Sequence, residues 1–180
     1  LISLSCLVSL DTGIILINPP MKVIDNFLPD ITFKKIYDEI MGSNFGWYYT
    51  PSVADETDEH SLDNYMHFHV AYNNQMPVST MYEVLLPFLK QLEMQSLMRI
   101  IINQYPYTPK LKVHADHKDF DFTHKGAILY LNTCDGYTYC EGQKVKSVAN
   151  RVLLHDPSKL HHSSATTNRQ RRVICNVNYL

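Results

Sequence analysis

The second half of the chain consists of short apolar or alternating runs that turn residues separate. Runs of this length and spacing predict β-strands of a closed or sandwiched antiparallel sheet of the jelly-roll type. They cover residues 97–105, 111–115, 125–133, 144–148, 151–155, 160–163 and 172–179. Asp135-Gly136 and Glu141-Gly142 are residue pairs typical of hairpin turns. We therefore expect a mainly β, jelly-roll or cupin-like core at about residues 97–180.

The first half of the chain mixes extended and helical patterns. Residues 23–28 form a short apolar run, and Pro29-Asp30 begins a stretch with apolar residues at helical spacing that Gly42 ends. A strand is predicted over residues 66–72 and a second helix over residues 81–92, with Pro87 as a kink inside it. These elements predict supporting N-terminal helices beside the β core.

Residues 1–20 are apolar and resemble a targeting segment at first sight. They lack a cationic start, and Asp11-Thr12-Gly13 divides the run well below the roughly 18 residues that a membrane span needs. We interpret residues 1–20 as an upstream extension outside the native fold, with translation beginning at Met21; an ordinary N-terminal strand is the alternative. The expected domain is then a single unit over residues 21–180, with no membrane partner.

Composition and charge narrow the class of protein. The chain has 45% apolar and 19% charged residues and a formal net charge of −2, which is typical of a globular protein and does not indicate a nucleic-acid partner. Its four cysteines form no C-x-x-C pair, so reduced thiols and a cytoplasmic location are expected. A disulfide between Cys134 and Cys140 is the less favoured alternative.

The first candidate metal-binding motif is His114-Ala-Asp116. A histidine and a carboxylate two residues apart on an extended segment share a face, and one more imidazole would complete a facial metal site with open positions. The motif is weak, because His117-Lys118-Asp119 matches it as well. We favour His114 because the run over residues 111–113 can fix both side chains in a strand, whereas His117 is expected in the loop beyond it. A surface pair is the alternative.

Five segments of the sequence form a recognisable set: Tyr105-Pro106, His114-Ala-Asp116, residues 128–132, His161 and residues 172–179. Together they resemble the Fe(II)- and 2-oxoglutarate-dependent dioxygenases of the prolyl 4-hydroxylase-like branch, above all its short members from phages and environmental bacteria. The resemblance runs from about residue 98 to the end of the sequence. It implies a double-stranded β-helix core, Fe(II), and 2-oxoglutarate and O₂ as cosubstrates, with ascorbate as a candidate reductant.

Transferred onto this sequence, the resemblance implies that His114, Asp116 and His161 bind the iron. His162 is the alternative to His161, because only one of two neighbours on a strand can face the metal; the spacing to Asp156 and Arg172 in the family favours His161.

The same resemblance implies a cosubstrate site. Arg172 would pair with the distal carboxylate of 2-oxoglutarate, for which a guanidinium offers two parallel donors. Tyr130 and Tyr105 match two tyrosines near the cosubstrate, and for each the alternative is an ordinary core aromatic residue.

The expected reaction is hydroxylation of an unactivated C–H bond of a peptide or small molecule, with a prolyl residue as one candidate and with release of succinate and CO₂. Two other hypotheses remain: a cupin-like metal enzyme that does not use 2-oxoglutarate, and a non-catalytic jelly-roll binding module. Substrate choice is expected to depend on the loops over residues 48–64 and 115–124.

Overall fold

A computed structural model describes residues 21–53 and 64–180, so the predictions about residues 1–20 lie outside the described residues. The described part contains short strands and two helices, as the sequence predicted. In chain order they are β1 (Lys22–Ile24), α1 (Asp30–Met41), β2 (Tyr48–Thr50), β3 (Met66–Asn73), β4 (Met76–Pro77), α2 (Met81–Leu89), β5 (Leu97–Pro106), β6 (Lys125–Tyr130), β7 (Tyr137–Cys140), β8 (Gln143–Lys146), β9 (Arg151–His155), β10 (His161–Ser163) and β11 (Arg171–Tyr179).

The strands form a larger and a smaller antiparallel sheet. The larger sheet has the order β1-β9-β6-β11-β5-β3-β2, with β4 paired to β3, and the smaller sheet has the order β10-β7-β8. Neighbouring strands in the larger sheet come from distant parts of the sequence, as expected for a jelly roll. The prediction of a mainly β, jelly-roll core with supporting N-terminal helices is confirmed.

The outer face of the larger sheet carries the main hydrophobic core. On β11 the alternate residues Val173, Cys175 and Val177 are buried in the same cluster as residues from both helices. Helix α1 contributes Ile36 and Ile40, which lie four residues apart on one side of the helix. Each such fully buried aliphatic side chain contributes about 1.5–3 kcal/mol of transfer free energy. The helices therefore hold the sheet from outside and leave its other face for the site.

The inner face of the larger sheet is unusually polar. Side chains alternate along a strand, so the residues of β11 between those of the outer core point toward the smaller sheet, beginning with the buried Arg172 and Ile174. Tyr105 on β5 and Tyr130 on β6 lie in the same inner cluster, and the smaller sheet adds Cys140. The space between the two sheets contains the candidate site.

The segment over residues 111–117 departs from its prediction. A strand over residues 111–115 was wrong: the structure has only two isolated bridges here, from Val113 to Ser164 and from His117 to His161. Between these bridges the first segment advances four residues and the second only three. The extra residue is a bulge, which changes the side chains that face the space between the sheets.

The two predicted hairpin turns differ in outcome. Glu141 and Gly142 join β7 to β8 with φ of 48° and 77°, and positive φ at both central residues is what a two-residue type I′ turn requires. Asp135-Gly136 does not join two paired strands, since β6 and β7 belong to different sheets.

The described cysteines are free thiols, and no described helix could span a membrane. Cys134, Cys140 and Cys175 are buried free thiols, so the alternative of a Cys134–Cys140 disulfide is not realised. No helix in the described part of the chain has the length and apolar character that a membrane span needs.

Candidate metal centre

Three side chains with metal-binding atoms converge between the sheets. His117, Asp119 and His161 each offer one ligand atom, and these atoms lie within 4.8 Å of one another; no other group of three or more is found in the described part of the chain. All three line a cavity of about 300 Å³. Two imidazoles and one carboxylate are the donor set of a facial non-haem iron site with open positions.

The backbone fixes the positions of these three residues. The main-chain N–H of His117 donates to the carbonyl of His161 at 3.0 Å, and that of His161 donates back to His117 at 3.1 Å. The two rings lie 4.4 Å apart between centroids. The N–H of Asp119 donates to the carbonyl of Pro157 at 3.0 Å. The loop that carries His117 and Asp119 is thereby held against the end of the smaller sheet.

Both histidines form their ring hydrogen bond through the same nitrogen. Nδ1 of His117 lies 3.2 Å from the carbonyl of Ala115, and Nδ1 of His161 lies 2.9 Å from the carbonyl of Lys159. A carbonyl only accepts hydrogen bonds, so each Nδ1 carries the proton and each Nε2 keeps its lone pair for a metal. Burial, and then the nearby His117, lower the pKa of His161, which favours the neutral imidazole that binds metals.

The carboxylate of Asp119 is held at both oxygens. A guanidinium nitrogen of Arg99 lies 2.9 Å from one oxygen, and the side-chain amide of Asn178 donates to the other at 2.8 Å. Burial raises the pKa of Asp119, but Arg99, Asn178 and the two histidines together lower it by more, so the net pKa is below its usual value. Asp119 is therefore ionised near neutral pH and able to bind a cation.

The structure does not bring His114 and Asp116 into this group. The ring of His114 is buried and stacked on Tyr105 at 5.4 Å, and its Nδ1 lies 3.2 Å from Oδ1 of Asn64. The carboxylate of Asp116 is 56% exposed and lies 2.7 Å from Nδ1 of His162. The bulge in residues 113–117 explains the difference, because it places the second His-x-Asp motif, and not the first, opposite His161.

The two adjacent histidines of β10 point to different surroundings. His161 lies in the cluster, whereas His162 stacks on Tyr139 with ring centroids 4.9 Å apart and an angle of 10° between the ring planes. Nδ1 of His162 lies 2.7 Å from Oδ1 of the exposed Asp116. The strand alternation that made the two histidines alternatives thus places His161 on the inner face.

A second buried polar group lies farther along the inner face, around Arg172. This side chain is fully buried, with its guanidinium carbon 5.2 Å from the ring centre of Tyr105 and 5.6 Å from that of Tyr130. It donates to the carbonyl of Ser164 and the hydroxyl of Thr138. No carboxylate pairs with it within the described residues, so the positive charge has no protein counter-ion there.

Two polar atoms here have no well-formed hydrogen bond within the described residues: Nε of the Arg172 guanidinium and the hydroxyl of Tyr130. Burial raises the pKa of Tyr130 to about 12, although Arg172 and then the hydroxyl of Thr138 oppose the shift. The phenol is therefore protonated and can donate. A buried cation without a counter-ion and a buried donor without a well-formed hydrogen bond are costly by themselves, and an anionic ligand would satisfy both.

Gly136 provides the space for this guanidinium. A Cβ at this position would lie 2.6 Å from Cδ of Arg172 and 2.5 Å from the carbonyl oxygen of Ala165. Both distances are well inside van der Waals contact, so a larger residue would displace the arginine. The glycine was predicted as part of a hairpin turn; its role in the structure is this close approach.

His155 is a further buried imidazole at the cavity. It is 7% exposed, its ring lies 5.3 Å from that of His161, and its Nδ1 has no hydrogen-bond partner within the described residues. Burial, followed by the charge that His161 can carry, lowers its pKa to about 3. The ring is uncharged at neutral pH.

Solved structures with similar folds were compared with the chain. A prolyl-4-hydroxylase from Pseudomonas putida matches with a TM-score of 0.60 and 15% identity over 89% of this chain and 92% of the other. An oxidoreductase of the 2OG-Fe(II) oxygenase family from Burkholderia pseudomallei matches with a TM-score of 0.62 and 10% identity over 88% and 84%. A prolyl hydroxylase from Trichoplax adhaerens, in complex with a hypoxia inducible factor peptide fragment, matches with a TM-score of 0.57 and 14% identity over 88% and 83%.

The chain therefore has the fold of the 2OG-Fe(II) oxygenases. Within that class it is similar to prolyl hydroxylases, and the prolyl-hydroxylase-like resemblance read from the sequence is confirmed at the level of the fold. No protein-family model matches the chain, and no curated protein matches it either.

Sequence reasoning did not assign some residues of this centre. His117 and Asp119 were recognised as a second His-x-Asp match but placed in a loop, and the same motif is the only signal that could have found them. Arg99 and Asn178 carry no motif. Only the pairing of β5 with β11, which sets Arg99 opposite Asn178, brings them to Asp119.

Proposed function

We propose that this protein is an Fe(II)- and 2-oxoglutarate-dependent oxygenase with His117, Asp119 and His161 as its iron ligands. The observation that carries the proposal is the convergence of these three side chains on one cavity of a jelly roll whose neighbours are 2OG-Fe(II) oxygenases. The donor chemistry fits, since two Nε2 lone pairs and an ionised carboxylate face one another. The His114 and Asp116 pair, which the sequence favoured, is the rival ligand set.

We further propose that Arg172 and Tyr130 bind the distal carboxylate of 2-oxoglutarate. Nε of Arg172 and the hydroxyl of Tyr130 are buried donors without a well-formed hydrogen bond in the described residues, and they lie on the inner face that also leads to the metal cluster. Tyr105 packs against the guanidinium and lines the cavity, which restricts the movement of Arg172. A guanidinium and a phenol together offer three or more donors to one carboxylate.

Iron held by His117, Asp119 and His161 would supply the coupling of 2-oxoglutarate decarboxylation to hydroxylation of a substrate C–H bond, with one oxygen atom of O₂ entering succinate, the other entering the product, and CO₂ leaving. The protein would bind and orient the cosubstrate through Arg172 and Tyr130. Apolar residues such as Ile128 and Ile174 line the cavity, and we expect them to keep water from the reacting atoms.

The substrate class is proposed from the neighbours and the cavity. Two of the neighbours described above are prolyl hydroxylases, one of them in complex with a peptide, so a prolyl residue of a peptide is our first candidate. A cavity of about 300 Å³ also admits a small free molecule. Ascorbate is proposed as the reductant that keeps the iron ferrous.

The test is a comparison of Asp119→Ala with Asp116→Ala in the full chain. Both changes remove a carboxylate two residues after a histidine, so each serves as the control for the other. We expect Asp119→Ala to abolish Fe(II)- and 2-oxoglutarate-dependent succinate formation, because one of three ligands is lost. Asp116→Ala should keep at least half of the wild-type rate, because the side chain is exposed and pairs with His162 outside the cluster.

Metal binding gives a second readout that needs no substrate. Anaerobic addition of Fe(II) and 2-oxoglutarate should produce a weak visible charge-transfer band in the wild type and in Asp116→Ala, but not in Asp119→Ala. The reverse pattern would assign the iron to His114 and Asp116. Absence of the band and of succinate in the wild type would reject the oxygenase proposal and favour a cupin-like metal enzyme or a binding module.

A further inference from the structure

The carboxylate of Asp119 belongs to a hydrogen-bond network that reaches β11, the last strand in chain order. Asn178 lies at its centre: its amide nitrogen donates to Oδ2 of Asp119 at 2.8 Å and lies 3.1 Å from Nε2 of His124, and its amide oxygen accepts from Nε of Arg99 at 3.1 Å. Arg99 then returns to Oδ1 of Asp119 at 2.9 Å. Asp119, Asn178 and Arg99 thus close a ring of hydrogen bonds beside the candidate metal ligands, and His124 adds a further contact to Asn178.

The donor and acceptor roles of the atoms fix the orientation of the Asn178 amide and of the His124 imidazole. Nδ1 of His124 lies 2.8 Å from the carbonyl of Phe122, so Nδ1 carries the proton and Nε2 accepts. The NH₂ end of Asn178 therefore faces two acceptors, and its oxygen faces a guanidinium that can only donate. Asn178 is 1% exposed and His124 is 2% exposed, whereas the side chains of Arg99 and Asp119 are 25% and 18% exposed, so the amide lies at the buried side of the network.

The pairing of β5 with β11 positions Arg99 and Asn178 independently of the loop that carries Asp119. Arg99 on β5 and Asn178 on β11 are directly paired in the sheet, and the guanidinium of Arg99 is also held over the ring of Phe120, with its central carbon 5.0 Å from the ring centre. The donors for the carboxylate thus come from two paired strands of the larger sheet. The carboxylate itself is on a loop that has no ladder of its own.

We infer that Arg99 and Asn178 are positioning residues that orient the Asp119 carboxylate for metal binding. One oxygen is held by a guanidinium and the other by an amide, so the carboxylate plane is fixed, while each oxygen keeps a lone pair for the cation. This inference rests on the proposed iron site and adds two residues for which the sequence offered no motif. Outer partners that orient a ligand typically contribute 10- to 100-fold to metal affinity.

The experiment measures anaerobic Co(II) binding to the metal-free full chain by calorimetry, with the visible Co(II) spectrum as a report on ligand geometry. We expect Asn178→Ala to weaken Co(II) binding about 10-fold or more and to change the band shape. Asn178 is uncharged, so this loss measures orientation and not Coulomb attraction. Asn176→Ala is the matched control on the same strand and face, and it should bind Co(II) within about twofold of the wild type.

A second variant keeps the inference testable if Asn178→Ala does not fold. Arg99→Lys retains the charge but cannot hold Asn178 and Asp119 at once with a fork of donors, so it should also weaken Co(II) binding about 10-fold. Binding within twofold of the wild type in a folded Asn178→Ala, or in Arg99→Lys where the first variant fails to fold, would overturn the inference. Wild-type Co(II) affinity in Asp119→Ala would instead reject the proposed metal site, and this inference with it.

Discussion

At the scale of single residues, the cosubstrate proposal depends on a glycine. Replacing Gly136 by alanine would put a Cβ 2.6 Å from Cδ of Arg172, and relief of that contact must move the guanidinium or the backbone. Overpacking of this kind costs about 1–3 kcal/mol. We expect Gly136→Ala to raise the 2-oxoglutarate concentration needed for half-maximal succinate release by about tenfold or more.

Two comparisons show whether the effect is local. Gly46→Ala is the matched control, because a Cβ there would meet nothing within 4 Å, and it should leave the 2-oxoglutarate requirement unchanged. Co(II) binding without cosubstrate should be the same in both variants, since the contact is with Arg172 and not with the metal cluster. An unchanged 2-oxoglutarate requirement in Gly136→Ala would argue against Arg172 as the cosubstrate anchor.

Sequence reasoning put forward some positions and could not predict others. The family resemblance, and not the residue pattern alone, put forward His161, Arg172 and Tyr130, and all three are buried in the structure. Their roles in a site stay predictions. The choice between the two His-x-Asp motifs could not be made from the residue pattern. It depends on one extra residue between the bridges Val113–Ser164 and His117–His161, and such a bulge leaves no mark in the hydrophobic pattern.

At the scale of elements, one asparagine joins the N-terminal segment to the jelly roll. The side chain of Asn150 accepts from the N–H of Leu28 at 3.0 Å and donates to its carbonyl at 2.8 Å, across 122 residues of sequence. Asn150 is 4% exposed and has φ of 62°, a conformation that asparagine tolerates better than most residues. This contact fixes the chain just before helix α1, which covers the outer face of the larger sheet.

Asn150→Ala should therefore be strongly destabilising. It removes two buried hydrogen bonds and leaves both main-chain groups of Leu28 without that partner, so we expect a loss of about 2–4 kcal/mol in the free energy of unfolding, measured by urea titration. Asn74→Ala is the control, because Asn74 also has positive φ, at 50°, but is exposed. A loss no larger than that of Asn74→Ala would mean that backbone conformation, and not the bridge to Leu28, explains the effect.

Element prediction succeeded where local pattern and tertiary contacts agree. Helix α1 begins at Asp30 and ends before Gly42, as the turn residues indicated. Strands β2 and β7 were not predicted: β2 is paired with β3, and β7 lies between β8 and β10. Three- and four-residue strands carry too short a pattern to be recognised alone.

At the scale of the whole molecule, the buried histidines make stability depend on pH. Burial lowers the pKa of His155 from its ordinary value near 6.5 to about 3. Between these values the unfolded chain binds a proton that the folded chain does not, so acid favours unfolding. The stabilising contribution is complete above about pH 6.5 and is lost progressively as the pH falls toward 3.

We expect the metal-free wild type to lose about 2 kcal/mol more free energy of unfolding between pH 7.5 and 5.0 than His155→Phe does. Each pH unit in this window contributes at most about 1.4 kcal/mol per bound proton. Comparing pH values within each variant cancels the packing cost of the substitution itself. His161, whose pKa is also lowered, adds acid sensitivity in the same direction in both proteins. Between pH 8.5 and 7.5 the two proteins should behave alike, because the imidazole is neutral in both the folded and the unfolded state.

Equal acid sensitivity in the two proteins would show that the ring of His155 is charged or solvated in the folded state. The cavity between the sheets would then be open to water at the position where the oxygenase proposal needs it to be dry.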